Sequence, residues 1–219
     1  MVDWAVLADE IAAFVLSGCC AGCDVPGTLL CDDCRAELVA RPVHAETSAG
    51  MAVLAALPFR GVAARCLRRV KEDGETLLAR PLGAALADAT ARVLAVHPEA
   101  LAVPVPTGAA AFRRRGYRVP ELLMRRAGLV PARVLTQTRR TADQRELDLM
   151  QRRENVAGSM RARHARAARD VVVFDDVVTT GATLDEAARA LTAAGFRVRG
   201  AVALAATPRR RESRETHHE

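Results

Sequence analysis

The stretch VVVFDDVVTTGAT, residues 171–183, decides how this chain is read. An apolar run ends in two adjacent acids, Asp175 and Asp176, and is followed by a small, hydroxyl-rich turn, TTGAT. Such a pair can be structural, can hold a metal, or can accept hydrogen bonds from hydroxyls. The run DVVVF, 170–174, is predicted as a buried strand, followed by a helix from about Thr183 to Ala194. A buried parallel strand delivers its C-terminal end to the crevice where open α/β sheets bind ligands. The turn leads into the helix, so its backbone N–H groups and the helix N-terminus form an anion nest. Thr179, Thr180 and Thr183 add hydroxyl donors, Gly181 allows close backbone approach, and Ala182 completes the turn. One ligand suits both features: a ribose 5-phosphate, its phosphate on the turn and its 2′ and 3′ hydroxyls on the carboxylates.

Other chemistries for the acids find no support elsewhere in the chain. An apolar strand ending in Asp-Asp resembles a Walker B element, but no G-x-x-x-x-G-K-[ST] is present, and no G-x-G-x-x-G follows a strand. A phosphatase of the Asp-x-Asp type wants its acids one residue apart. Helix N-capping accounts for one acid poorly and for two worse.

Outward from this stretch, strands and helices alternate. MAVLAAL at 51–57, ALAVPVP at 100–106 and VRGAVALAAT at 198–207 read as strands. VAARCLRRVK, a long segment at 75–96 that Pro81 interrupts or restarts, and ELLMRRA read as helices. RVLTQTRRT reads as a strand running into a polar segment, and 112–118, FRRRGYR, as a basic loop. The alternation predicts an α/β fold with a mostly parallel sheet flanked by helices. Residues 41–50, with Pro42, Thr47, Ser48 and Gly50, read as a linker, and Gly195 as a helix C-cap. Residues 2–17 space Trp4, Leu7, Ile11, Phe14 and Val15 as an amphipathic helix that docks on something else. The expected organisation is an N-terminal helix and metal-binding segment over 1–48, a catalytic-type domain over 49–207 and a disordered tail over 208–219.

Composition narrows the partners. Of 219 residues half are apolar but only 3% aromatic, so Val, Leu, Ala and Ile must build the core. A net charge of +6, carried almost wholly by Arg, favours anionic partners; Lys71 is the only lysine. No apolar run reaches the roughly 18 residues of a membrane span, and Asp3, Asp9 and Glu10 replace the basic start of a signal peptide. A cytoplasmic protein without membrane insertion is expected.

Five of the six cysteines fall between 19 and 34. Cys20-x2-Cys23 and Cys31-x2-Cys34 have the spacing of a small zinc ribbon, with Gly22, Pro26 and Gly27 for its tight turns. Cys19 can replace Cys20; the two-residue spacing prefers Cys20. Four thiolates close the coordination shell, which makes such a Zn²⁺ structural. Cys66 stands alone and reads as packing.

These features together resemble the ComF-type family, in which a short zinc-ribbon segment precedes a type I phosphoribosyltransferase-like domain. The likeness spans nearly the full length: the four cysteines, Lys71 in RRVKEDG, VPVPT at 103–107, RRRGYR at 113–118, TADQRELDLMQRRENVAGS at 141–159, and the 171–183 stretch. The chain departs from the family where Arg118 and Val119 replace the usual Asn after the RGF/Y element. No second cysteine pair lies in 35–65, so a single ribbon is expected.

The resemblance implies binding of phosphoribosyl pyrophosphate, or of a nucleotide, with Mg²⁺ arriving on the ligand. Asp175 and Asp176 are then the catalytic acids, and 179–183 the 5-phosphate cradle. Arg113, Arg114 and Arg115, joined by Lys71, face the pyrophosphate. The segment holding Thr141, Gln144, Arg152, Arg153 and Asn155 resembles the loop that covers such sites. Two activities follow: phosphoribosyl transfer to an acceptor, or non-catalytic nucleotide or single-stranded DNA binding of the competence, DNA-uptake type. One Trp and one Tyr count mildly against base stacking on a single strand.

Overall fold

The computed structural model describes residues 18–138 and 156–207. Its spine is a strand longer than expected, β6 (Asp170–Val178), which runs through both acids instead of ending before them. It continues because its neighbour β7 (Arg197–Ala206) keeps pairing alongside it, Asp175 opposite Ala203 and Val177 opposite Ala205. The remaining strands are β1 (Val43–Glu46), β2 (Ala52–Pro58) and β3 (Leu101–Pro104). The order is β1-β2-β7-β6-β3, with β1 antiparallel and the rest parallel. This is the expected α/β sheet flanked by helices. One expectation fails here: the supposed linker supplies β1, because alternate residues of VHAE give its backbone an exposed edge and a half-buried face.

Each face of the sheet builds its own core. One carries α2 (Gly61–Glu72), α3 (Ala79–Leu94) and α5 (Val119–Arg126) over Val172, Phe174, Val202 and Leu204. The cysteine segment, with α1 (Asp32–Glu37), joins the same core through Cys20, Ala21, Leu30, Cys34 and Leu38. The other face carries α6 (Ala182–Ala193) and the antiparallel pair β4 (Leu135–Gln137) and β5 (Met160–Ala162) over Val171, Val173, Ala201 and Ala203. With few aromatics available, Leu and Val layers on Ala-lined strands fill the space; Phe174, 1% exposed, and Phe196, 6% exposed, are the exceptions among the described residues. The helix after Pro81 does restart: a 3₁₀ turn (Thr76–Leu78) precedes α3, and Pro81 lies in its first turn, where no backbone donor is needed.

The arginines expected in a loop sit on a helix, α4 (Ala109–Arg115), which Gly116 ends in the left-handed conformation. Three alanines favour a helix there, and a C-terminal glycine closes it. Among the described residues no helix is long and apolar enough to cross a membrane. The proposed N-terminal helix, the charged segment at 143–155 and the tail lie outside the described residues.

Candidate functional site

At the C-terminal end of β6 a cleft of about 150 Å³ is lined by Asp175 and by 177–184, which include the whole TTGAT turn. The turn's shape depends on Gly181, which has φ +82° and is buried. A Cβ there would lie 2.8 Å from both Cβ and Cγ2 of Thr47, itself 4% exposed. The turn at 47–50, within the 41–50 stretch read from sequence as linker, therefore presses directly on the TTGAT turn. Ser48 Oγ donates to the Thr180 carbonyl at 3.4 Å, and the Ala49 amide donates to Asp185 Oδ2 at 3.2 Å. Within the turn, Thr180 Oγ1 accepts the Ala182 amide at 3.3 Å. Residues 182–184 of α6 open onto the cleft, the end of a helix where negative charge is favoured.

The two acids do not share one environment. Asp175 lines the cleft and accepts the Asp176 amide at 2.8 Å. Burial, then the neighbouring Asp176 charge, push its carboxyl up to about 8. Lys71, its side chain 26% exposed, is paired with Asp176, 14% exposed, Nζ to Oδ1 2.8 Å. Lys71, expected with the arginines on the pyrophosphate side, is thus brought to the acid pair. Arg115 is brought to Lys71: its Nε donates to the Lys71 carbonyl at 2.7 Å. Arg113 and Arg114 are exposed on the last turn of α4. Thr179 is exposed and Thr183 half-buried at the cleft. Thr141, Gln144, Arg152, Arg153 and Asn155 lie outside the described residues.

At the other end of the chain, the sulfurs of Cys20, Cys23, Cys31 and Cys34 all lie within 4.8 Å of one another. Cys20 and Cys23 are each 3.6 Å from Cys31. Tetrahedral zinc with Zn–S near 2.3 Å wants sulfurs about 3.8 Å apart, so the four fit one ion. Cys20, not Cys19, belongs to the set. Its sulfur accepts amides of Gly22 and Cys31 at 3.4 and 3.3 Å. Burial pushes this thiol up, but the amides of Cys31, Gly22 and Cys23 outweigh it and bring it to about 6, which suits a thiolate ligand. Gly22 is required by space: a Cβ would sit 2.4 Å from Cys34 Sγ. The knuckle is tied to α2 by Arg69, which reaches Asp24 at 2.7 Å, Glu75 at 3.2 Å and the Cys19 carbonyl at 3.3 Å.

Two buried carboxylates escaped the sequence reading. Glu121 accepts from Arg133 at 2.5 Å and Arg125 at 3.0 Å. Glu186 accepts from Arg189 at 2.7 Å and from the Met160 amide at 2.9 Å. Helical spacing alone pairs Glu121 with Arg118 and Arg125, and Glu186 with Arg189. Both groups pin elements together and stand outside the cleft lining.

The phosphoribosyl transferase domain family matches residues 83–218. No curated protein matches the chain. Among solved structures, the chain is similar to the one described as the crystal structure of TT1426 from Thermus thermophilus. The two are 19% identical over 60% of this chain and 84% of that one, with a TM-score of 0.31.

Proposed function

Since the chain belongs to the phosphoribosyl transferase domain family, we propose that it binds phosphoribosyl pyrophosphate at the end of β6 and transfers the phosphoribosyl group to an acceptor. One observation carries the reading: Asp175 and the TTGAT turn line the same cleft. The turn takes the 5-phosphate on amides and on the Thr179, Thr180 and Thr183 hydroxyls. Asp175 and Asp176 take the ribose hydroxyls, and negative charge on the pair favours the positive charge that develops at C1′ as pyrophosphate leaves. Catalysis of this kind is positional and electrostatic, with no covalent nucleophile. Lys71, with Arg113 and Arg114, supplies positive charge on the pyrophosphate side. Where Mg²⁺ is bound with the ligand, Asp175 and Asp176 would be the chain's oxygen donors to it, and it would supply further countercharge to the pyrophosphate.

The cysteine cluster, found in one chain with this cleft, supports assignment to the ComF type, with a structural Zn²⁺ in a segment over 1–48 and the transferase domain over 49–207. The test is thermal. Phosphoribosyl pyrophosphate with Mg²⁺ raises the melting temperature of the unaltered protein, and the double variant Asp175→Asn, Asp176→Asn loses the rise. Absence of any rise in the unaltered protein overturns the ligand. A pyrophosphate-release screen over nucleobases and amines then identifies the acceptor.

A further inference from the structure

We propose that Arg115 and Tyr117 are positioning residues for Lys71, clamping the last turn of α2 so that its ammonium faces the acid pair. The inference rests on the reading of the cleft given above, and it assigns residues that bond to main chain rather than to the acids.

A helix leaves its last four carbonyls without intrahelical partners. In α2 the Arg69 carbonyl takes the amides of Asp73 at 3.0 Å and Glu75 at 3.3 Å. The next two carbonyls are met from α4's end. The Tyr117 hydroxyl donates to the Val70 carbonyl, and Arg115 Nε donates to the Lys71 carbonyl at 2.7 Å. Gly116, with φ +79°, reverses the chain between these two side chains, so both reach the same turn. Arg115 also places a cation where the helix dipole is negative. The residue so held carries the ammonium that pairs with Asp176 at 2.8 Å.

Lysine is otherwise poorly suited to holding a charge in place. Four rotatable bonds separate its ammonium from the backbone, and ordering them costs entropy. Fixing the backbone at 70 and 71 removes part of that freedom, and packing of the half-buried Tyr117 against the core keeps the clamp itself in place. The chain uses arginine at every other basic position but lysine here. A compact ammonium is a point charge that can pass between a carboxylate and a ligand anion, whereas a guanidinium favours planar bidentate pairing.

Because Lys71 is the only lysine, its acylation rate can be followed by mass spectrometry in the free protein. Tyr117→Phe and Arg115→Met each raise that rate about fivefold, the loss of roughly one hydrogen bond of restraint. Asp176→Asn raises it at least as far. Unchanged rates in both clamp variants, with folding verified by circular dichroism, overturn the proposal whether or not any ligand binds. A second arm measures Mg²⁺–phosphoribosyl pyrophosphate affinity in a double-mutant cycle. Tyr117→Phe weakens it about fivefold alone and has no effect on a Lys71→Met background. Full additivity overturns the clamp, since a capping role acting only on stability does not depend on Lys71. If the acylation rates rise but the unaltered protein shows no ligand affinity, the positioning stands and the ligand reading falls.

Discussion

Asp175 and Asp176 are adjacent in sequence yet meet different surroundings, because successive side chains of a strand point to opposite faces. One lines the cleft beside the turn, and the other pairs with Lys71. In the free protein burial and the neighbouring acid keep Asp175 protonated up to about 8. Above the ordinary carboxylate range the unfolded chain has released a proton that the fold still binds, so stability falls as pH rises from about 4 to about 8. Asp175→Asn removes this slope: melting temperatures at pH 5 and pH 8.5 differ less in the variant than in the parent. An equal pH loss in both sinks the assignment. At Gly181 the expected cost is steric. Alanine there meets both a left-handed backbone and Thr47 at 2.8 Å, for about 2–4 kcal/mol of destabilisation. Chemical denaturation gives the value, and the ligand-induced thermal rise disappears with it. The glycine was legible as a site of close approach. What approaches it was not, since Thr47 lies more than a hundred residues away in sequence.

At the scale of elements, the cysteine knuckle shows how far spacing alone carries. The two pairs and their order name the four sulfurs, and Gly22 was read as a turn residue; its real constraint is the 2.4 Å that a Cβ would leave to Cys34 Sγ. Gly22→Ala accordingly lowers bound zinc well below one per chain by metal analysis, while a full complement in the variant refutes the packing argument. Helix α5 shows the opposite case. Burial pushes Glu121 up, but bonds from Arg133 and Arg125 and the charges of Arg133 and Arg118 outweigh it and hold the carboxyl below its usual range. Because the arginines are largely exposed, Glu121→Gln costs about 1–3 kcal/mol rather than the full penalty of a stranded buried charge. The loss shrinks as pH falls through the carboxyl's titration, which urea unfolding at pH 7 and pH 3 would register. Nothing in the sequence pairs Glu121 with Arg133. Helix α4 and strand β1 did carry local signals, an alanine run closed by glycine and a short period-two pattern; the arginine cluster and the Pro, Ser and Gly nearby drew the reading toward loop and linker.

In the whole molecule the cysteine cluster and the cleft end are joined through one core. Cys20, Leu30 and Cys34 pack in the same cluster as Val62, Leu67 and Val70 of α2, and the next residue after Val70 is Lys71. Stripping zinc with a chelator is thus expected to lower the melting temperature by about 5 °C or more. It should also weaken Mg²⁺–phosphoribosyl pyrophosphate binding. Chelation that leaves that affinity unchanged shows the two ends to be independent. By itself the sequence determined the α/β class, the strand that leads into the acids, the turn that follows them and the four sulfurs, because each rests on local periodicity or on spacing within a short segment. Only the tertiary structure decided that β6 runs on through the acids, that Thr47 shapes the turn, that Lys71 pairs with Asp176, and that Arg115 reaches α2. Each of those depends on a contact between segments tens of residues or more apart, where pairing and packing, not propensity, choose the partner.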